Sequence, residues 1–460
     1  MLLDAQIAAA GEAMPYRVGG AIAAVGGLAL EATDLALPVG SLCKIRSLGG
    51  MESTAEVIGF RQDRTVLMPL GPIGGIARGD PIENISAAPT LSCSQRLLGR
   101  VLNGFGNPMD DRGAIPFGQL RRIDGRGVPC LNRVNIDKPI ATSIRCIDGL
   151  ATCGMGQRMG IFSGPGVGKS TLLSQIAKHT SAEVSVVAMI GERGREVQEF
   201  LKHNLGPEGL KRCVVVVSTA DDPPLLRVRA ARVACTVAEY FRDQGKNCLL
   251  LIDSLTRLCQ AQRQIGLAAH EPPATKGYPP SVFALLPEIL ERAGKTAAGS
   301  VTGFYTVLVE ADDFNEPVAD AVKGISDGHI WLSRPLANRG HFPAIDILQS
   351  ISRVRSSVCD AEQLRYCRRV CAVMAVYQEI EDLVNIGAYV PGTNLEFDVA
   401  IQARPRIVQY LQQESTAPTT LPQAITQLKE LANWIDQVEK ALRAQAAKSG
   451  SAAKAAGTAR

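Results

Sequence analysis

The sequence predicts an α/β core around a parallel sheet, preceded by a small β-barrel and followed by an α-helical domain. Three textures along the 460 residues predict it. Residues 1–95 carry short apolar runs cut by Gly and Pro, the pattern of closely spaced strands and turns. Residues 96–358 alternate continuous apolar runs with helical stretches, as a parallel sheet buried on both faces requires. Residues 359–446 read as helix.

In the barrel segment the strand runs are residues 21–25, 28–30, 55–59 and 65–69. In the core segment they are 158–162, 184–190, 214–217, 248–252, 304–309 and 330–332. Asp222-Pro223-Pro224 opens a helix that runs to Gly245, because an acidic cap followed by proline presets the first turn. Further on, Ile425, Leu428, Leu431, Ile435, Val438 and Leu442 recur at spacings of three and four. One such stripe packs on its own domain more often than on a partner. Residues 447–460, rich in Ala, Ser, Gly and Lys, are expected to be a disordered tail.

Composition narrows the class. Apolar residues make up 46% and charged residues 20%, as in an ordinary globular protein. A net charge of +4 is too small to imply a nucleic-acid or membrane partner. The 12 cysteines are scattered, with no CxxC pair. Cys367 and Cys371 lie one helical turn apart without a His or second Cys pair beside them, so buried thiols are expected there rather than a metal site. Cysteines in the core without a signal peptide read as a reducing cytoplasm. No run of 18 apolar residues occurs, so no transmembrane helix is expected.

Three motifs carry chemistry. Ser163-Gly164-Pro165-Gly166-Val167-Gly168-Lys169-Ser170-Thr171 follows a strand and opens an amphipathic helix, residues 172–179. Small residues let backbone N–H groups wrap phosphates, and the helix N-terminus favours negative charge. In this Walker A pattern Lys169 reaches the β- and γ-phosphates and the Ser170 hydroxyl binds Mg²⁺. The strict pattern begins with Gly; here that position is Ser163, small enough for the same turn. The apolar run Cys248-Leu249-Leu250-Leu251-Ile252 ends in Asp253, about 85 residues on, where a carboxylate belongs beside Mg²⁺. Glu192, in Ala188-Met189-Ile190-Gly191-Glu192-Arg193-Gly194-Arg195-Glu196, also follows a buried strand. It is either a carboxylate that activates water or part of a solvated charge cluster capping a helix.

Residues 191–196 resemble the catalytic segment of rotary ATPase β subunits and type III secretion ATPases. Further matches are Asp253-Ser254-Leu255-Thr256-Arg257, the run of residues 271–283, Asp327-Gly328-His329-Ile330, residues 343–348 and Ser350-Ile351-Ser352-Arg353-Val354. Val25-Gly26-Gly27-Leu28 and Pro38-Val39-Gly40 are similar to the same family's N-terminal domain. Together they resemble the flagellar and injectisome export ATPases of the rotary α/β superfamily, most thinly over the last hundred residues. The resemblance implies a RecA-like P-loop ATPase domain over 96–358, a barrel over 1–95 that carries ring contacts, and a helical domain over 359–446. It implies that Glu192 is the catalytic carboxylate, that Arg193 supports it, and that Arg353 is the finger reaching the neighbouring subunit's γ-phosphate. Phe342 stands where the family usually has a Tyr stacking on adenine, so the π face is kept and the hydroxyl lost. It further implies ATP and Mg²⁺, a homohexameric ring in the cytoplasm, and peripheral attachment at the membrane export gate. Partners would be stalk and stator-like regulator proteins and chaperone–substrate complexes.

Overall resemblance leans to flagellar export. The alternatives are an injectisome ATPase, a rotary synthase-type subunit and a Rho-like nucleic-acid translocase. Single-strand binders need a basic groove and stacking aromatics. Through residue 95 there are six basic against nine acidic residues, and the aromatics are Tyr16 and Phe60. No nucleic-acid partner is therefore expected. One chain holding both Glu192 and Arg353 completes every site in a ring of identical copies, which argues against a hetero-ring.

Overall fold

The computed structural model describes residues 17–47, 49–86, 89–125, 127–309 and 316–457. The first 16 residues of the expected barrel segment and residues 458–460 of the expected tail lie outside the described residues. The chain divides into two compact units. One runs to Asn135 and takes in Met155–Phe162 and Ala182–Ser326; the other comprises Ile136–Gly154, Ser163–Ser181 and the chain from Asp327. The division runs through the 96–358 segment: residues 163–181 group with the C-terminal helices.

The first unit begins with six strands, β1 (Gly19–Gly26), β2 (Ala29–Thr33), β3 (Leu42–Arg46), β4 (Glu52–Arg61), β5 (Arg64–Pro69) and β6 (Pro81–Ser86). They close into a barrel in the order β1-β2-β5-β4-β3-β6. Alternation builds it. Leu30 and Ala32, Cys43 and Ile45, and Ala55 and Val57 form the buried core with Leu67 and Ile82. Between them Glu31 accepts from Arg64 Nη1 at 2.7 Å, and Lys44 Nζ lies 2.5 Å from Glu52. The four runs named from sequence fall on β1, β2, β4 and β5. β3 and β6 escaped because Lys44 and Arg46 interrupt one, and Pro81, Glu83 and Asn84 interrupt the other.

The same unit holds β7 (Val101–Asn103), β8 (Arg158–Ser163), β9 (Val184–Glu192), β10 (Cys213–Thr219), β11 (Asn247–Asp253) and β12 (Ser300–Leu308). Their order is β8-β12-β11-β9-β10-β7. β12, β11, β9, β10 and β7 run parallel. Every residue of β9 is buried. The expected helix after Asp222 spans Pro224–Asp243, with proline at its first position. Within this unit the fully buried Arg292 donates to Glu239 through Nε at 2.7 Å and Nη2 at 2.5 Å, a paired contact that compensates burying the charge.

The second unit contains α1 (Arg145–Leu150), α2 (Lys169–His179), the antiparallel pair β13 (Gly328–Leu332) and β14 (Ile345–Ser352), and three long helices. These are α3 (Ala361–Asn385), α4 (Leu395–Leu411) and α5 (Leu421–Gly457). Leu428, Leu431 and Ile435 of the apolar stripe are buried, joined by Ala424 and Ala432. The stripe packs within its own unit, where α5 meets α3, α4 and α1. α5 continues to Gly457, into the segment expected to be a tail. Ala and Lys are strong helix formers, and extending a helix adds a bond per residue without a new nucleus. Cys367 is buried on α3 and donates to Gly149 O at 3.0 Å; burial pushes its thiol up to about 12. Among the described residues, no helix is long and apolar enough to cross a membrane.

Asp148 sits buried on α1. Its Oδ1 accepts from Thr142 N at 2.8 Å and Thr142 Oγ1 at 2.7 Å, and Oδ2 accepts from Ser143 N at 3.0 Å. Burial outweighs these bonds and pushes its carboxyl up to about 7. The folded chain therefore holds this proton more tightly than the unfolded one. That contribution to stability is complete below the ordinary carboxylate range and is lost as pH rises towards 7. Between pH 5 and 8 the parent should lose about 1–3 kcal/mol more unfolding free energy than Asp148→Asn. Urea titrations of both proteins at the two pH values measure it, and equal slopes would remove Asp148 as the source.

Candidate functional site

In the second unit, Ser163 to Gly168 lead directly into α2. Gly166 and Gly168 have φ of 77° and 88°, and Gly168 is the N-cap residue of α2. A β-carbon at Gly168 would be strained there and would lie 3.5 Å from the Phe342 ring. No side chain caps this helix, and its N-terminus is an end that favours an anion. Gly164 and Val167 are buried, Pro165 and Gly166 are exposed, Lys169 is half-buried, and Ser170 and Thr171 are exposed. The Ser163 hydroxyl is buried without a hydrogen-bond partner.

The loop opens into a cleft of about 1110 Å³. Gly166, Gly168, Thr171 and Gln175 line one side, Phe342 and Pro343 another, and the segment Gln412 to Thr416 a third. Phe342 is 46% exposed, presenting an aromatic face above Gly168. Its carbonyl accepts from Gln413 N at 2.9 Å. Arg353 is exposed at the end of β14, where its N–H donates to Asp327 O at 2.9 Å, and it is not among the residues lining the cleft.

In the first unit, Glu192 is the last residue of β9 and Asp253 the last of β11. These strands are parallel neighbours, with Met189 beside Asp253, so both carboxylates leave the same edge of the sheet. Thr306 Oγ1 donates to Asp253 Oδ1 at 2.7 Å and orients it. Glu192 is 4% exposed, and its Oε1 lies 3.3 Å from Arg257 Nε. Arg257 Nη1 donates to Gly191 O at 2.6 Å. Arg257 belongs to the first turn of the helix Leu255–Ala268, capped by Ser254, whose Oγ accepts from Arg257 N. Burial, with Arg257 beside it, pulls the nearby Arg227 guanidinium below its ordinary range. Arg193 is exposed at the N-cap of the helix Gly194–Glu199.

The structure thus brings Phe342 to the glycine-rich loop, and Glu192 to the strand end beside Asp253. The loop, Phe342 and Arg353 belong to one unit; Glu192, Arg193 and Asp253 belong to the other. Two features escaped the motif reading. Arg257 was quoted without a role; its signal was a basic residue four positions after a strand-ending Asp. The wall formed by residues 412–416 lies in a polar stretch, Gln412-Gln413-Glu414-Ser415-Thr416, that matches no motif.

Gly191 holds Arg257 against Glu192. Its φ is 69°, and an added β-carbon would lie 3.1 Å from Arg257 Cβ and 3.2 Å from Cδ. Gly191→Ala should destabilise by about 1–2 kcal/mol, from the left-handed backbone and the crowding together. Gly194→Ala, with no atom within 4 Å of the new carbon, should be near neutral. Denaturant midpoints compare the two, and an equal shift would remove the crowding argument.

The geometry has counterparts in known proteins. The profile of the ATP synthase alpha/beta family nucleotide-binding domain matches residues 143–352, and that of the T3SS EscN ATPase C-terminal domain matches residues 359–430. The flagellum-specific ATP synthase of Bacillus subtilis is 46% identical over 90% of this chain and 95% of its own length. The SPI-2 type 3 secretion system ATPase of Salmonella typhimurium is 47% identical over 82% and 86%. The solved structure of the assembled ATPase EscN with its central stalk EscO, from enteropathogenic E. coli, superimposes with a TM-score of 0.82. It is 42% identical and covers 90% of this chain and 100% of that one. The chain belongs to the flagellum-specific and type III secretion export ATPases of the ATP synthase alpha/beta family.

Proposed function

We propose that this export ATPase serves flagellar protein export and hydrolyses ATP in the cleft at the N-terminus of α2. One observation carries the site: an uncapped helix N-terminus opens beneath the exposed face of Phe342. The flagellar assignment is supported by the likeness to the flagellum-specific protein of Bacillus subtilis, 46% identical over 90% of this chain. An injectisome role is the second reading, supported by that protein's 47% identity.

The residues divide the work as follows. The loop of residues 163–168, through the N–H groups it has apart from Pro165, and the Lys169 ammonium take the phosphates, and Thr171 lines the same cleft. Phe342 stacks on the base. Mg²⁺ would be held by Ser170 and Asp253, hard oxygen donors of the kind it selects; the exposed hydroxyl and the Thr306-oriented carboxylate fit that role. The ion would neutralise phosphate charge. Glu192 orients water and accepts its proton, and Arg257 keeps that carboxylate in place. Arg193 supports the segment from its N-cap position. In this reading Arg353 serves a neighbouring copy, which its exposure and its absence from the lining of its own cleft support. That favours a homohexameric ring, as does the likeness to an assembled relative with a stalk. Cytoplasmic work at the membrane export gate, with stalk, stator-like regulator and chaperone–substrate partners, belongs to the same proposal.

Lys169→Ala should abolish hydrolysis by removing the charge on the phosphates. Glu192→Gln should keep nucleotide binding and lose turnover, because an amide cannot accept a proton from water. Near-parental turnover by Glu192→Gln in a phosphate-release assay would end the water-activation role.

Arg353→Ala should leave ATP affinity nearly intact and cut turnover, by about 10³–10⁵ if it acts as other fingers do. Mixed with Glu192→Gln subunits, it should recover part of the activity, because one interface then combines an intact Glu192 with an intact Arg353. Mixed rings that assemble and stay inactive would reassign Arg353 to structure within its own subunit.

A further inference from the structure

Gln413 occupies an unusual position in the cleft wall. It follows the C-terminus of α4, and its side chain is bonded inward. Oε1 accepts from Arg145 N at 2.8 Å, and Nε2 donates to Ser143 O at 2.9 Å and to Ala417 O at 2.8 Å. Its own N–H donates to the Phe342 carbonyl at 2.9 Å. One residue therefore ties three segments together: the start of α1, the wall after α4, and the turn that carries Phe342.

Both neighbours of this knot are fixed. Ser143 Oγ donates to His179 O, at 2.7 Å, at the far end of α2. The Arg145 guanidinium donates to Gln409 O at 2.9 Å, to Tyr410 O at 2.7 Å, to Gln412 O, and to Gln427 Oε1 at 3.1 Å. Three of those acceptors are carbonyls at the C-terminal end of α4, where a helix leaves them unpaired and a cation is favoured. The Phe342 ring, by contrast, is half out in solvent. Packing alone does not hold it, so its height above Gly168 depends on where its backbone is anchored.

We propose that Gln413 is a positioning residue for the nucleobase: it anchors Phe342 to the C-terminal helices and so sets affinity for the base through the Phe342 ring. This rests on the reading of the cleft as the nucleotide site. Gln413 acts only on the base half of the ligand, because the phosphate half is bound by the loop and α2.

The test uses the full chain and two probes, ATP and inorganic tripolyphosphate as magnesium salts, with binding measured by calorimetry. Gln413→Ala should weaken ATP about fivefold to tenfold, the size of one aromatic contact, and leave tripolyphosphate within about twofold. Gln413→Met, nearly isosteric and unable to make the side-chain bonds, should do the same. Adding either change to Phe342→Ala should weaken ATP no further, since both act through one contact. Unchanged ATP affinity in the Gln413 variants, or equal loss of both ligands, would overturn the proposal. So would loss of cooperative melting in both variants, which would make Gln413 a folding residue. If Phe342→Ala binds ATP as the parent does, the base-stacking reading fails and the proposal with it. If Phe342→Ala weakens ATP while both Gln413 variants bind normally, the proposal fails alone.

Discussion

Burial of the central strands on both faces is the constraint from which the chemistry of the first unit follows. A strand with no exposed face cannot carry a charge along its length without a buried partner. β9 obeys this: its nine residues are all buried and only the last, Glu192, is charged. β11 is similar, six uncharged residues followed by Asp253. Parallel pairing then brings both carboxylates to one edge. The next segment must turn back at that edge, so a side chain from its first helical turn arrives beside them. That side chain is Arg257, and the left-handed turn at Gly191 makes room for it.

The second unit solves the complementary problem, an anion site without charge on the backbone. α2 starts from a left-handed glycine and has no side-chain cap, and a helix N-terminus favours negative charge. Relative to Gly168, a Ser, Thr, Asp or Asn at the N-cap would stabilise the helix by only about a few tenths of a kcal/mol, and its side chain would compete for the donors of the first turn. Ser254, Asp360 and Asn394 do accept from their own helices, while the helix Pro224–Asp243 starts without a side-chain cap, as α2 does.

What could be read from the sequence follows the strength of local signals. The loop from Ser163 to Thr171, the strand ending in Asp253 and the stripe Leu428, Leu431 and Ile435 each show in one short window, and each lies where its pattern implied. β3 and β6 did not show, since their buried residues alternate with Lys44, Arg46, Glu83 and Asn84, and the pairing that makes them strands is long-range. Gln413 did not show either. It has an ordinary polar composition around it, and its role lies in bonds to residues about 270 positions earlier. After residue 447 two local signals compete: small residues suggest disorder by composition, while their helix propensity favours extending a helix already formed.

The barrel bears on which ring-forming machine this is. A ring that pulls on nucleic acid needs free cations and exposed aromatic rings on a groove. On the barrel strands the cations are engaged, while Arg78 is exposed in the loop before β6. Arg61 and Arg64 both pair with Glu31, Lys44 pairs with Glu52, and Arg46 pairs with Glu52 and Glu83. Arg17 reaches Glu83 as well. Each pair is exposed enough to add little stability, but together they leave no one-signed strip along these strands. What the barrel does expose is apolar: Val25, Leu28, Val39 and Phe60. Scattered side chains of this kind suit contact with other protein surfaces better than a phosphate backbone. The same ATP-splitting core can therefore drive different cargo in different rings, and in this chain the barrel's charge pairing favours protein as the cargo.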